Sequence, residues 1–291
     1  MQLSRMLRLL SIALCLAGCS ATVSDLGELT EDNEFCAPGG NPSQLRDLTL
    51  DLVGMDAHVT NFFEATVVNE RSGVLSSRIV YDPLLLVTQQ ISVENAVPPG
   101  TYFLDFYADL DGDRVYTNHP DDHSWRRQVC ADGSLTFVHN IMFETLDRGE
   151  RRIGGNLVMN FTEIPLEVRE AGTQGSIEAR VIARLSEGVS QTVGVYRYTN
   201  LVERRVLELP SSVSIALEGI LDAGTEHTIY YYFDLNGDGV ASRADGDIIC
   251  MRDEIPTSAG LTLDLDMTVE TANGLCGLET MPGPDDPIPE I

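Results

Sequence analysis

A short acidic segment that returns later in the chain constrains the fold more than any other feature. GTYFLDFYADLDGD (residues 100–113) recurs as GTEHTIYYYFDLNGD (residues 224–238), with Asp109 and Asp234 standing 125 positions apart. Upstream, EATVV (64–68) recurs as EARVI (178–182), and each is followed by a Ser and Gly turn. Two matches in the same order imply two copies of one module, about 45–147 and 153–278, joined by the polar segment 147–152.

The periodicity within each copy is that of strands. Leu261, Leu263, Leu265, Met267 and Val269 alternate with Thr262, Asp264, Asp266, Thr268 and Glu270, and Leu48, Leu50 and Leu52 alternate with Thr49 and Asp51. A period of two predicts a sheet with one wet face. The runs 62–68, 76–81, 101–108, 134–139, 176–185 and 212–218 are short, rich in β-branched or aromatic residues, and bounded by Gly, Pro, Asn or Asp. No long helix is predicted. The expected fold is all-β: two tandem antiparallel β-sandwiches of the immunoglobulin-like or transthyretin-like kind.

Charge narrows the function. The chain has 291 residues with a formal charge of −26, and all 19 of its basic residues are arginine. Absence of lysine excludes Schiff-base chemistry, Ser-Lys hydrolysis and a phosphate-loop lysine. The acidic field repels phosphate backbones, so nucleic acid is not an expected partner. There is no Gly-x-Ser-x-Gly elbow and no evident cysteine nucleophile, so no catalytic residue is assigned.

Arg5 and Arg8 precede an apolar run, 9–16, that is too short to span a bilayer and has the layout of a secretory signal. It ends in Leu16-Ala17-Gly18-Cys19, which resembles the lipobox of bacterial lipoproteins. That resemblance implies a signal peptide over 1–18, lipidation of Cys19 (palmitate among the acyl chains) and membrane attachment through lipid. Ser20 stands where inner-membrane retention signals carry Asp, so the resemblance points to the outer membrane of the cell envelope. Residues 19–44 read as a flexible tether and 279–291 as a disordered, acidic, proline-rich tail. Expected partners besides the membrane are an envelope protein or a glycan. Tyr102, Tyr107, Tyr230, Tyr231 and Tyr232 offer either a glycan platform or ordinary sheet packing.

Four cysteines remain beyond Cys15 and Cys19, and four allow three connectivities. Two modules most simply pair Cys36 with Cys130 and Cys250 with Cys276.

Two sets of side chains suit metals. With Asp234 as position one, Asp234, Asn236, Asp238 and Asp245 place oxygens at one, three, five and twelve, and the Val240 carbonyl adds position seven. That pattern wraps a hard cation. The loop resembles the calcium loops of dockerins and of thrombospondin-type or adhesin modules, without the flanking helices of an EF-hand. The first copy offers Asp109, Asp111 and Asp113, with Pro120 at position twelve and Asp121 or Asp122 as substitutes. The same spacing also serves plain Asp-Gly turns. The second set is His58, His123 and His139, three imidazoles able to hold zinc or copper if separate elements bring them together, with Met55 as a soft extra ligand. Separate histidines capping loops and packing on Trp125 are the alternative.

Overall fold

The computed structural model describes residues 45–281, apart from 71, 132–133, 147–153, 171–174, 186–188, 200, 203–204, 207–208, 237, 239 and 258–259. Cys19, Cys36, the signal segment, the whole tether, the 147–152 linker and the end of the tail lie outside the described residues.

The regular secondary structure of the described residues is nearly all strand. The first copy runs β1 (Arg46–Val53), β2 (Phe63–Asn69), β3 (Leu75–Asp82), β4 (Gln89–Val97), β5 (Thr101–Asp109), β6 (Asp122–Cys130) and β7 (Ser134–Val138). The second runs β8 (Gly155–Thr162), β9 (Ser176–Arg184), β10 (Ser190–Tyr198), the short hairpin β11 (Leu201–Val202) and β12 (Arg205–Val206), then β13 (Val213–Leu221), β14 (His227–Asp234), β15 (Ile248–Glu254) and β16 (Leu261–Asp266). Two short helices, α1 (Leu166–Arg169) and α2 (Met267–Ala272), belong to the second copy.

Each copy builds the same two layers. One layer is a three-stranded sheet, β4-β1-β7 in the first and β13-β8-β16 in the second, with β7 and β16 parallel to their neighbours. The other layer is four strands in equivalent order, and here the copies join: β3 pairs in parallel with β10, giving one eight-stranded sheet, β15-β14-β9-β10-β3-β2-β5-β6.

Side-chain alternation at this seam decides how the layers stack. In β3, Ile79 enters the core of the first copy while its neighbour Val80 enters that of the second. In β10, Val195 enters the first core and Tyr196 the second. Successive residues point to opposite faces of a sheet, so the two three-stranded sheets cover opposite faces of the shared one. Burial on both faces explains why β2 and β14 read as nearly continuous buried runs. The tandem modules implied by the repeat are thus continuous through a common sheet.

Strand directions place the loops. β3, β5, β10 and β14 all run the same way, so the turns after Asp109 and Asp234 leave the same rim of the sheet. Arg46 pairs with Val97, just before the turn that starts β5, and so lies toward the opposite rim.

Leu48, Leu50 and Leu52 point into the core, as their alternation predicts. The predicted strand through Val269 is shorter in the structure. Asp266 accepts from the N–H groups of Thr268 (3.0 Å) and Val269 (3.3 Å), an N-cap that starts α2 and leaves Val269 exposed. At the predicted tail, Arg243 N–H donates to the Glu279 carbonyl (2.9 Å) and Ser242 bridges to Thr280, so the first tail residues are tied to the body. Cys250 and Cys276 are joined by a disulfide. Cys130 is disulfide-bonded as well, and its expected pairing with Cys36 lies outside the described residues. The five tyrosines of the suggested platform are buried, which leaves them as sheet packing.

Candidate metal centres

The histidines are assembled by the two layers of the first copy. Gly54, at φ +77°, turns the chain out of β1 into the single 3-10 turn Asp56–His58. His139 follows β7, and its N–H donates to the Val53 carbonyl at 2.9 Å, so His58 and His139 come from the same end of the β1–β7 pair. His123 comes from the other layer, on β6, paired with Ala108 of β5.

Their ring nitrogens converge. His58 Nε2 lies 3.0 Å from His139 Nε2 and 3.5 Å from His123 Nδ1, and one nitrogen of each ring lies within 4.8 Å of the other two. His58 is fully buried, and the other two are half-buried. Aromatic neighbours fix the rings. Phe143 stacks on His123 at 3.7 Å between centroids, and the buried Trp125 lies 5.6 Å from both His58 and His139. Burial, followed by the facing His139 and His123, lowers the pKa of His58 to about 4. Burial and the nearby His119 and His139 lower that of His123. At neutral pH, then, His58 and His123 present uncharged imidazoles. His58 Nδ1 has no hydrogen-bond partner.

The acidic turns are stiffened by their own backbones. In the first, Asp109 accepts from Gly112 N–H (2.7 Å) and Arg114 N–H (2.8 Å), and Asp122 from Leu110 N–H (3.3 Å) and Thr117 N–H (2.6 Å). Carboxylates of Asp109, Asp111 and Asp122 lie within 4.8 Å of one another. Burial raises the pKa of Asp109 and Asp122 despite these N–H groups. Asp113 instead accepts from Val115 N–H (2.7 Å) and stays outside that group.

The second turn follows the same plan. Asp234 is buried and paired with Arg197 at 3.3 Å. Asn236 accepts from Asp238 N–H (3.0 Å), and Asp238 from Val240 N–H (2.8 Å). The residue that closes this turn is Asp247, which accepts from Leu235 N–H (2.9 Å) and Ser242 N–H (3.1 Å), as Asp122 does in the first. Asp245, at the expected twelfth position, is exposed in the 3-10 turn Arg243–Asp245. The twelve-position template missed Asp247. The repeat would have found it, because Asp122 and Asp247 stand 125 apart, as Asp109 and Asp234 do.

Among the described residues no helix is long and apolar enough to cross a membrane. No family model and no curated protein matches the chain. Solved structures similar to it include a candidate adhesin from Bacteroides thetaiotaomicron (11% identity, TM-score 0.26, covering 64% of this chain and 76% of that one). Two proteins from Porphyromonas gingivalis are similar to the same degree. They are the fimbrial anchor protein Mfa2 (11%, TM-score 0.24, 65% and 78%) and the tip fimbrial protein Mfa3 (10%, TM-score 0.23, 81% and 90%). Likenesses this distant identify no family.

Proposed function

We propose that this chain is a lipid-tethered binding or scaffold protein of the cell envelope, anchored through Cys19, whose double sandwich presents calcium-stiffened turns to an envelope protein or glycan. The observation that carries the reading is the β3–β10 seam, which joins the two sandwiches through one continuous sheet, a form suited to holding a surface away from an anchor. The Cys250–Cys276 bridge supports an oxidising compartment outside the cytoplasm, and the lipobox supplies the tether. For calcium, the support is that both turns close with a buried aspartate at an equivalent position, Asp122 and Asp247.

Two measurements test this. Radiolabelled palmitate enters the protein and is lost in Cys19→Ser; no label in the wild type defeats the anchor. Calcium at 10 mM against chelator raises the melting temperature by a few degrees. A dissociation constant of ~0.1 to 1 mM, usual for extracellular modules, corresponds to roughly 1.4 to 2.7 kcal/mol of stabilisation. A melting temperature indifferent to both defeats the calcium reading and leaves the scaffold standing.

A further inference from the structure

We propose that His58, His123 and His139 form a binding site for one divalent transition-metal ion of the zinc and copper kind, clamping the two layers of the first sandwich together. Four-coordinate zinc with nitrogen at 2.0 to 2.1 Å has its ligand nitrogens about 3.3 Å apart. The two distances from His58 Nε2, 3.0 and 3.5 Å, bracket that spacing. Imidazole nitrogen favours zinc and copper over calcium or magnesium, which take oxygen. His123 and His139 are half-buried, so two of the three imidazoles are within reach of solvent.

The duplicated fold gives an independent reason. His123 pairs with Ala108, and 125 residues on Ile248 pairs with Phe233. His139 follows Val138, the partner of Val53, while Met267 follows Asp266, the partner of Thr162. At two of the three histidine positions the second copy therefore carries apolar side chains that pack with its core. The architecture does not need imidazoles there. The first copy departs from it at places that meet in space and come from both layers.

Trp125 is the chain's one tryptophan, and it lies beside the triad. Its fluorescence therefore reports the site directly. Full-length protein purified without chelator and then stripped is titrated with copper(II), with zinc as competitor and calcium as control. The expected result is saturable quenching of Trp125 at one copper per chain, prevented by zinc and untouched by calcium. His123→Gln and His139→Gln, both at half-buried positions, weaken binding about 100-fold or more, beyond the 10 to 100-fold usual for the groups that merely orient ligands. His119→Gln, whose ring also stacks on Phe143 but lies outside the triad, leaves it unchanged. Binding at less than one ion per chain, no loss in either triad variant, or equal loss in His119→Gln overturns the assignment and leaves a hydrogen-bonded histidine cluster. Because calcium binding at the acidic turns is read by melting temperature, and this site by Trp125, either can fail alone.

Discussion

Val80 and Val195 are exchanged between the halves: Val80, on the first copy's β3, is buried in the second copy's core, and Val195, on the second copy's β10, is buried in the first's. Truncating either to alanine should cost roughly 1 to 3 kcal/mol in lost burial and cavity formation. Because each side chain supports the opposite half, calorimetry should show one transition that moves down as a unit in both variants. A trace that splits into two transitions contradicts a common sheet that couples the halves.

Charge crosses the same seam. The buried Arg78 of β3 is paired with the fully buried Glu64 of β2, and it also donates to the Glu218 carbonyl of β13 at 3.1 Å. Removing Glu64 leaves the buried Arg78 with only the half-exposed Glu218 carboxylate, 3.6 Å away, so Glu64→Leu should destabilise by up to roughly 3 kcal/mol, the lower end for breaking a buried pair. Replacing both, as Glu64→Leu with Arg78→Met, should recover much of that loss. Urea unfolding of the two single variants and the double variant measures the coupling.

The acidic turns separate two aspartates by role. Asp247 satisfies two backbone N–H groups from a buried position, whereas Asp245 is exposed. Asp247→Ala should cost about 1 to 3 kcal/mol, the usual penalty for leaving buried donors unmet. Asp245→Ala should stay within about 0.5 kcal/mol of the parent. Equal effects in thermal unfolding would contradict this division of roles.

His227, at the start of β14, is fully buried with Nε2 unpartnered. Burial lowers its pKa below the ordinary 6.5, against an opposing hydrogen bond with the Thr225 carbonyl. The unfolded chain therefore takes up this proton first as the pH falls. The stability His227 allows is complete above 6.5 and drains away as pH drops from 6.5 toward the depressed folded value. Denaturation midpoints measured from pH 7.5 to 5 should fall less steeply in His227→Asn than in the parent. His58 contributes in the same direction to both proteins and cancels in the difference.

Two signals made strands legible: alternation where one face meets water, and β-branched or aromatic runs where both faces are buried. β1 and β16 announce themselves by alternation, and β3, β5 and β9 by β-branched and aromatic residues. β6 did not, because this edge strand carries Asp122, His123, Arg126, Arg127 and Gln128 among its nine residues and reads as polar loop. The repeat showed two copies, yet it could not show their parallel seam. Pairing β3 with β10 depends on which strand edge is left free after folding, and no local period records that. The histidine positions were readable as candidates only, because their meeting depends on the β1–β7 and β5–β6 pairings at once. Asp247 lay hidden behind a template borrowed from helical loops.

The opposed rims of the shared sheet set an orientation. A chain entering at Arg46 starts on the side away from the turns that follow Asp109 and Asp234, and nine residues of β5 span about 30 Å between those sides. A pull applied at Arg46 is therefore exerted at the far end of the strands from the acidic turns. His58 and His123 lie at the same rim as the first of these turns, just before β2 and at the start of β6, so the triad too stands a strand's length from that point of load.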